Sequence, residues 1–516
     1  MNSPFISDWV LTHAERTPEA PAVATPDVRL SYGELADRVR RLAEALAASG
    51  VVPGERVLVA LPNLAATAVV ELALHALGAC VVKTNRASGP DALGTIVART
   101  GVRRAFMLDR DAAAWAEIAR SHALELWLVS ERDRGAETTP VDAIVARIAA
   151  DGRLETDLGA RAIPRSPDVR PEDPALILYT SGSTGKPHGV VQTWRNVDAN
   201  TRSIVRYLGL TSADRAMLIL PLSYCYGRSV LQSHLFVGGS VFFDNRFMFP
   251  RVVLETLRQE GCTGFAGVPA TFELIRRQVD VRSLGPFRLR YLTQAGDAMS
   301  PDTIRWVRRA FRPAVLFVMY GQTEATARLS YLPPELADEK EGSIGIPIPG
   351  VELKVVDDSG REVADAEVGN LIAKGDNVTP GYYGEPEESA AILRGGWLWT
   401  GDLAWRDRDG FLFHAGRSKE ILKIAGHRVS PAEIEHTLAR HPDVADVAVV
   451  GGAGEIQGEV AVAFVVRRQG CDVSETRLRR FCSELLPSFK VPATIRFVDA
   501  LPRNEAGKLA RTRLSL

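Results

Sequence analysis

The chain has 516 residues, enough for one large domain and a smaller one, each with a sizeable core. Hydrophobic residues make up 46% and charged residues 24%, the balance of an ordinary soluble globular protein. A formal net charge of −1 excludes a whole-chain electrostatic pull toward nucleic acid or an anionic membrane.

In chain order, Met1 to Phe5 lack a basic segment leading into an apolar core, so no secretory signal is expected. Ser31-Tyr32-Gly33-Glu34 predicts a capped helix start, and Leu35, Val39, Leu42 and Leu46 follow at helical spacing. Pro53-Gly54 turns the chain into a short strand from Arg56 to Leu61, then a helix is predicted over Val69 to Leu77 and a strand over Cys80 to Lys83. The apolar run from Val57 to Val82 is broken by Pro62, Asn63 and Glu71, so it reads as buried helix and strand, not as a bilayer span. Strands separated by helices of this length predict an α/β architecture of layered, largely parallel sheets. The cysteines (Cys80, Cys225, Cys262, Cys471 and Cys482) form no CxxC pair, and their odd number argues against a disulfide framework. Free thiols in a reducing cytoplasm are the expectation.

A strand over Ala175 to Tyr179 runs into Thr180-Ser181-Gly182-Ser183-Thr184-Gly185-Lys186. Main-chain N–H groups free of bulky side chains, with hydroxyls and a lysine, suit phosphate oxygens. The spacing is not that of a Walker A loop, and Pro187 disfavours a helix starting near Lys186. From Gly345 the texture changes. Val351 to Val356, the turn Asp357-Asp358-Ser359-Gly360 and Gly369 to Ala373 predict a small β-rich unit. Beyond Arg417 the chain restarts. Ser430-Pro431-Ala432-Glu433 predicts a capping box and a helix to Ala439. Strands at Val444–Val450 and Glu459–Val466 follow, then a helix containing Leu478 and Phe481 that ends near Leu486. This C-terminal part reads as compact α+β.

Four further segments recur in order after the phosphate loop: Met319 to Ala325, Trp399 to Leu403, Gly416 to Arg428, and Pro502 to Lys508. Through these motifs the chain resembles the adenylate-forming superfamily of acyl-CoA synthetases, firefly luciferase and nonribosomal adenylation domains. The resemblance implies a large N-terminal domain over residues 1–416 holding ATP and an acyl pocket, a hinge at 417–419, and a mobile C-terminal lid over 420–516. It places Thr180 to Lys186 on the phosphates. Gly296, Asp297 and Ala298, with Tyr320, Gly321 and Gln322, would lie along the adenine, and Gly296 and Asp297 also along the acyl group. Thr323 would donate to a phosphate or to the substrate carboxylate. Glu324 would hold Mg²⁺, a hard cation that prefers oxygen. Asp402 would accept from both ribose hydroxyls, which a carboxylate does better than a neutral group, and Arg417 would add a ribose or phosphate contact.

Lys508 would stabilise the charge that develops when a carboxylate attacks the α-phosphate. Lys419 would serve as the pivot, and Lys423, Gly426 and Arg428 would line the passage for the thiol. Tyr224 stands where many members carry a histidine or an aromatic residue at the mouth of the acyl pocket, with Tyr226, Gly227 and Arg228 beside it. Arg228 is a candidate to pair a second carboxylate. No aspartate lies between Pro221 and Gln232 to pair an ammonium, which disfavours an α-amino acid. His188 and Asn370 depart from the family's more common Lys and Glu.

The implied cofactors are ATP and Mg²⁺. The thiol is CoA, or alternatively the phosphopantetheine arm of a carrier protein acting in trans. Residues 417–516 hold 16 Lys/Arg against 12 Asp/Glu, which suits either acceptor. Nothing argues for a luciferase-like oxidation. A scaffold that has lost catalysis is disfavoured, because Lys186, Glu324, Asp402 and Lys508 are all present.

Overall fold

Runs such as Val57-Leu58-Val59 and Phe242-Phe243 are buried throughout, as strands covered by helices on both faces must be. The computed structural model describes residues 3, 5–84, 90–130, 144–148, 154–155, 169–181, 187–420, 422–424, 427–454, 458–503, 509 and 511–514. A nine-stranded sheet runs in the order 346–347, 330–332, 315–320, 291–294, 264–267, 215–218, 240–243, 21–24, 29–31, and it is parallel through its centre. An eight-stranded sheet runs 187–193, 174–181, 80–83, 56–60, 104–108, 125–129, 144–148, 154–155.

Between the two sheets lie the helices Ile6–Arg16, Tyr32–Ala48, Ala65–Ala76, Trp194–Leu208 and Cys225–Val237, which share one apolar core with the inner faces of both. The outer face of the nine-stranded sheet is covered by helices Pro250–Gln259, Pro269–Gln278 and Pro301–Ala310. Helices Pro90–Thr100 and Ala112–His122 cover the outer face of the other. The layered α/β expectation is met.

Local signals explain most elements. Ser31 and Glu34 exchange side-chain and backbone hydrogen bonds at the start of the Tyr32–Ala48 helix, and Leu35, Val39, Leu42 and Leu46 are buried along it. The next helix begins at Ala65, four residues before Val69, because the intervening alanines favour the helix as strongly as the apolar residues do. Val351–Val356, Gly369–Gly375, Trp397–Arg406 and Leu412–Arg417 form the antiparallel β-rich unit.

The third sheet ends at Arg417, and the fourth begins at Leu422. In that fourth sheet the strand Gly458–Arg467 of the hairpin Val444–Gly454/Gly458–Arg467 also pairs with Leu422–Ile424 and Thr494–Phe497. Helices Pro431–Ala439 and Glu475–Leu485 pack on one face. Ser430 corrects one local expectation. Its hydroxyl makes no cap to the helix and donates instead to the Ala415 carbonyl, tying the helix start to the last strand of the preceding unit.

All five cysteines are free thiols. Among the described residues no helix is long and apolar enough to cross a membrane.

His75 and His234 are wholly buried, and burial pushes each imidazole down to about 4 from 6.5. In the unfolded chain each takes a proton at the ordinary value, so unfolding binds protons between the two values. Stability is expected to fall as pH drops from 7 to 5, by about 1.4 kcal/mol per pH unit per histidine below its unfolded pKa. The urea midpoint measures this, and a midpoint constant over that range contradicts two neutral buried imidazoles.

Candidate active site

The strand Val315–Tyr320 ends by presenting Tyr320 at the edge of the β-rich unit. The chain can turn sharply there because residue 321 is glycine: a Cβ would lie 2.2 Å from the Ala327 carbonyl oxygen. The short turn Thr323–Ala325 follows. The Tyr320 hydroxyl donates to Asp402 Oδ2 at 2.6 Å. Asp402 sits on the strand Trp397–Arg406, in register with Arg417 on the neighbouring strand. Arg417 Nε lies 3.3 Å and His414 Nε2 3.5 Å from Asp402 Oδ1. Burial opposes the aspartate's charge, but His414, Arg417 and the Tyr320 hydroxyl together hold its carboxyl below the usual range. Burial, then the Asp402 carboxylate, pushes the Tyr320 phenol far up, so it remains a donor.

Three residues past Gly321, Glu324 Oε1 accepts from the Tyr382 hydroxyl at 2.9 Å. The Tyr382 ring lies against His188, with centroids 4.9 Å apart. His188 Nδ1 is 2.6 Å from Glu385 Oε2, and Arg99 Nη1 is 3.0 Å from Glu385 Oε1. His188 faces Thr180 and Pro187 faces Ser181 across the antiparallel strand pair. The Asp402–Tyr320 and Glu324–Tyr382 contacts are joined by the short chain segment from Tyr320 to Glu324, and they lead to the end of the hairpin that carries the glycine–hydroxyl loop. Gly182, Ser183, Thr184, Gly185 and Lys186 themselves lie outside the described residues, as do the side chains of Thr180 and Ser181.

Gln322 Nε2 is buried with no hydrogen-bond partner, an amide donor left for a ligand. The described residues contain no group of three acidic, histidine or cysteine side chains placed to hold a metal. Glu324 is a carboxylate, and its oxygens are the donor type that a hard cation such as Mg²⁺ prefers.

Tyr224 immediately precedes the helix Cys225–Val237. Gly296 has φ +99°, and a Cβ there would come within 2.5 Å of the Tyr224 hydroxyl oxygen, so tyrosine and glycine backbone are in direct contact. The turn Gly296–Asp297–Ala298 is thereby placed beside the predicted acyl pocket, and Asp297 Oδ1 accepts from the Ala298 N–H at 2.9 Å. Thr323 Oγ1 lies 3.5 Å from Cys225 Sγ. The Tyr226 hydroxyl donates to Thr293 Oγ1 at 2.7 Å.

Two neighbours are used differently from the expectation. Gly227 is a packing glycine, since a Cβ would meet the Pro221 and Leu220 carbonyl oxygens at 2.5 and 2.6 Å. Arg228 is 2% exposed and pairs with Glu71 Oε2 at 2.8 Å, while Lys83 takes Glu71 Oε1 at 2.9 Å. Burial pushes Glu71 upward, but the two cations hold it down to about 2. Arg228 is therefore committed to a buried ion cluster and does not line the pocket. Glu71 looked like an interruption in an apolar helix, and nothing in its local pattern marked it as the partner of a residue 157 positions away.

From the C-terminal unit, Arg511 Nη2 binds both oxygens of Glu435 at 2.8 and 2.9 Å, and the Asp297 carboxylate acts on both side chains. Arg468 Nη2 reaches Asp302 Oδ2 at 3.1 Å. Leu509 bridges to Arg503. Lys508 and Gly426 themselves lie outside the described residues. Lys423 and Arg428 are register partners in the hairpin Leu422–Ile424/His427–Val429, but their side chains, and that of Lys419, are not described. His188 and Asn370 are both engaged, the second donating to Asp358 at 3.0 Å. Sequence reasoning missed Tyr382, whose partner Glu324 is distant in the chain, and His414, whose partner Asp402 lies on the adjacent strand.

The family model described as AMP-binding enzyme matches residues 10–383, and the AMP-binding enzyme C-terminal domain matches residues 433–508. The chain is similar to sulfoacetate–CoA ligase of Cupriavidus necator, at 33% identity over 98% of this chain and 96% of the relative. It is also similar to 2-succinylbenzoate–CoA ligase of Geobacillus kaustophilus, at 32% identity over 98% and 97%. Among solved structures, o-succinylbenzoate CoA synthetase of Bacillus subtilis in complex with its acyl-adenylate intermediate superposes with TM-score 0.83 at 28% identity, covering 98% of this chain and 97% of the other. The same enzyme in complex with ATP and a magnesium ion gives TM-score 0.82 at 28% identity, with 98% coverage of both chains.

Proposed function

We propose that this chain, which belongs to the family of AMP-binding enzymes, joins a carboxylic acid to CoA through an acyl-adenylate. One observation carries the reading: Asp402, Tyr320, Glu324 and Tyr382 form one connected site at the mouth of the glycine–hydroxyl hairpin. A thiol cannot displace oxide from a carboxylate, so the acid must first gain a leaving group. A carboxylate oxygen attacks the α-phosphorus of ATP, the new O–P bond forms, and the bond to the bridging oxygen breaks to release pyrophosphate. The thiolate then attacks the acyl carbon and AMP departs with the carboxyl oxygen that had bonded to phosphorus.

In this reading Asp402 holds the ribose hydroxyls and Arg417 assists it. Glu324 would hold Mg²⁺, an ion that would supply positive charge to offset that of the phosphates. Thr323 and the loop Thr180 to Lys186 bind phosphate, and the turn Gly296–Ala298 runs between nucleotide and acid. Tyr224 and Tyr226 wall the acid. Residues 420–516 form a lid that turns at 417–419. It delivers Lys508 for the first step and the hairpin of Lys423, Gly426 and Arg428 for the second. Cysteines outside any disulfide suit a cytoplasmic enzyme.

The test is acid-dependent exchange of labelled pyrophosphate into ATP, followed by thioester formation with CoA and with a phosphopantetheinylated carrier protein. Exchange that requires an acid, with transfer to CoA, is the expected result. Transfer to the carrier alone would replace the CoA assignment, and ATP turnover indifferent to any acid would overturn the ligase reading.

A further inference from the structure

We infer that Arg328 anchors a second anionic group at the far end of the acid, so that the substrates are short acids bearing a remote carboxylate or sulfonate. The inference rests on the reading that the space behind Tyr224 holds the acid.

Arg328 is 3% exposed, yet among the described residues no carboxylate pairs with its guanidinium. Its Nη1 donates to the carbonyl of its own neighbour, Ala327, at 3.1 Å, and the Tyr207 hydroxyl lies beside it. The guanidinium carbon sits 4.1 Å from the centre of the Tyr226 ring. Nε is buried with no partner. Other deeply placed arginines are neutralised: Arg228 by Glu71 at 2.8 Å and Arg511 by Glu435 at 2.8 Å. Among the described residues Arg328 has no such carboxylate. A buried cation without a counter-ion is strongly disfavoured, and a ring face offsets only part of that cost. The missing anion is supplied by the ligand.

Position supports the same assignment. Arg328 follows Glu324 by four residues, and its Cα would be 2.7 Å from a Cβ at Gly321, so it stands directly behind the activation site. The ring it covers, Tyr226, neighbours Tyr224 at 6.2 Å between centroids. Arg328 also lines a small cavity whose other walls are mostly apolar, among them Ile204, Leu208, Phe265 and Met319. Its 20 Å³ admits little more than one water molecule, so an aryl ring or alkyl tail finds no room past the guanidinium and the acid ends at Arg328.

The experiment compares acids of matched size by pyrophosphate exchange: succinate and 3-sulfopropanoate against succinamate and butanoate. Wild-type enzyme should prefer the charged pair by about 100-fold in kcat/KM. Arg328→Gln should abolish that preference, chiefly through KM for the charged acids, while changing kcat/KM for the uncharged pair less than about threefold. Arg328→Lys should restore part of it, and the ratio of succinate to 3-sulfopropanoate shows which anion fits. Equal use of both pairs by wild type, or equal loss on both pairs in Arg328→Gln, overturns the subsite and leaves the ligase reading intact. No exchange with any acid overturns the ligase reading and this one with it. The wild-type comparison needs no variant, so a misfolded Arg328→Gln protein cannot rescue the inference.

Discussion

Lys508→Ala is expected to lower acid-dependent pyrophosphate exchange by about three decades while leaving thioester formation from supplied acyl-adenylate within a few-fold of wild type. In the first half-reaction a carboxylate approaches an α-phosphate, so two anions are forced together, and a cation at the forming bond relieves that repulsion most at the transition state. At ~4 Å and an effective dielectric near 20, the attraction is on the order of 4 kcal/mol, which corresponds to roughly three decades of rate. The second half-reaction disperses charge onto departing AMP and needs no cation at that point. Comparable loss in both half-reactions would make Lys508 a general structural or binding residue instead.

Asp402→Asn is expected to raise KM for ATP by about 100-fold, with a smaller fall in kcat, measured by pyrophosphate exchange at saturating acid. An amide keeps one oxygen for the Tyr320 hydroxyl but loses the charge that makes hydrogen bonds to a vicinal diol strong. The same substitution should show in stability. The Asp402 carboxyl is held below its unfolded value in the native chain. Its stabilising contribution is therefore complete above the unfolded carboxylate range and disappears as pH falls through the native value. The variant should lose this part of the acid limb of the stability profile, because an amide does not titrate. An unchanged KM for ATP combined with lower stability would reduce Asp402 to a partner of Arg417 and His414.

Two kinds of signal pointed to this site in the chain. The glycines and hydroxyls before Lys186 suggest a phosphate loop by residue type and spacing alone, whereas the Tyr320-Gly321-Gln322-Thr323-Glu324 segment and the aspartate at 402 stood out through their resemblance to family motifs. The alternation of strands and helices, read by period, likewise predicted the layered sheets and the Ser31 cap.

Arg228 and Arg328 show where that reading stops. Both are arginines in apolar surroundings, and the sequence favoured Arg228 because it lies nearer the Tyr224 motif. The folded chain spends Arg228 on Glu71, a residue that reaches it only when two helices pack between the sheets, and sets Arg328 over a tyrosine ring with no carboxylate paired to it among the described residues. Tyr382 and Glu324, 58 residues apart, are likewise joined only by the fold. Residue identity and near-neighbour spacing thus determined which chemistry is available. Which charges are neutralised internally, and which wait for a ligand, was decided by tertiary packing, because ion pairing depends on distance in space and the strength of each pair on its burial.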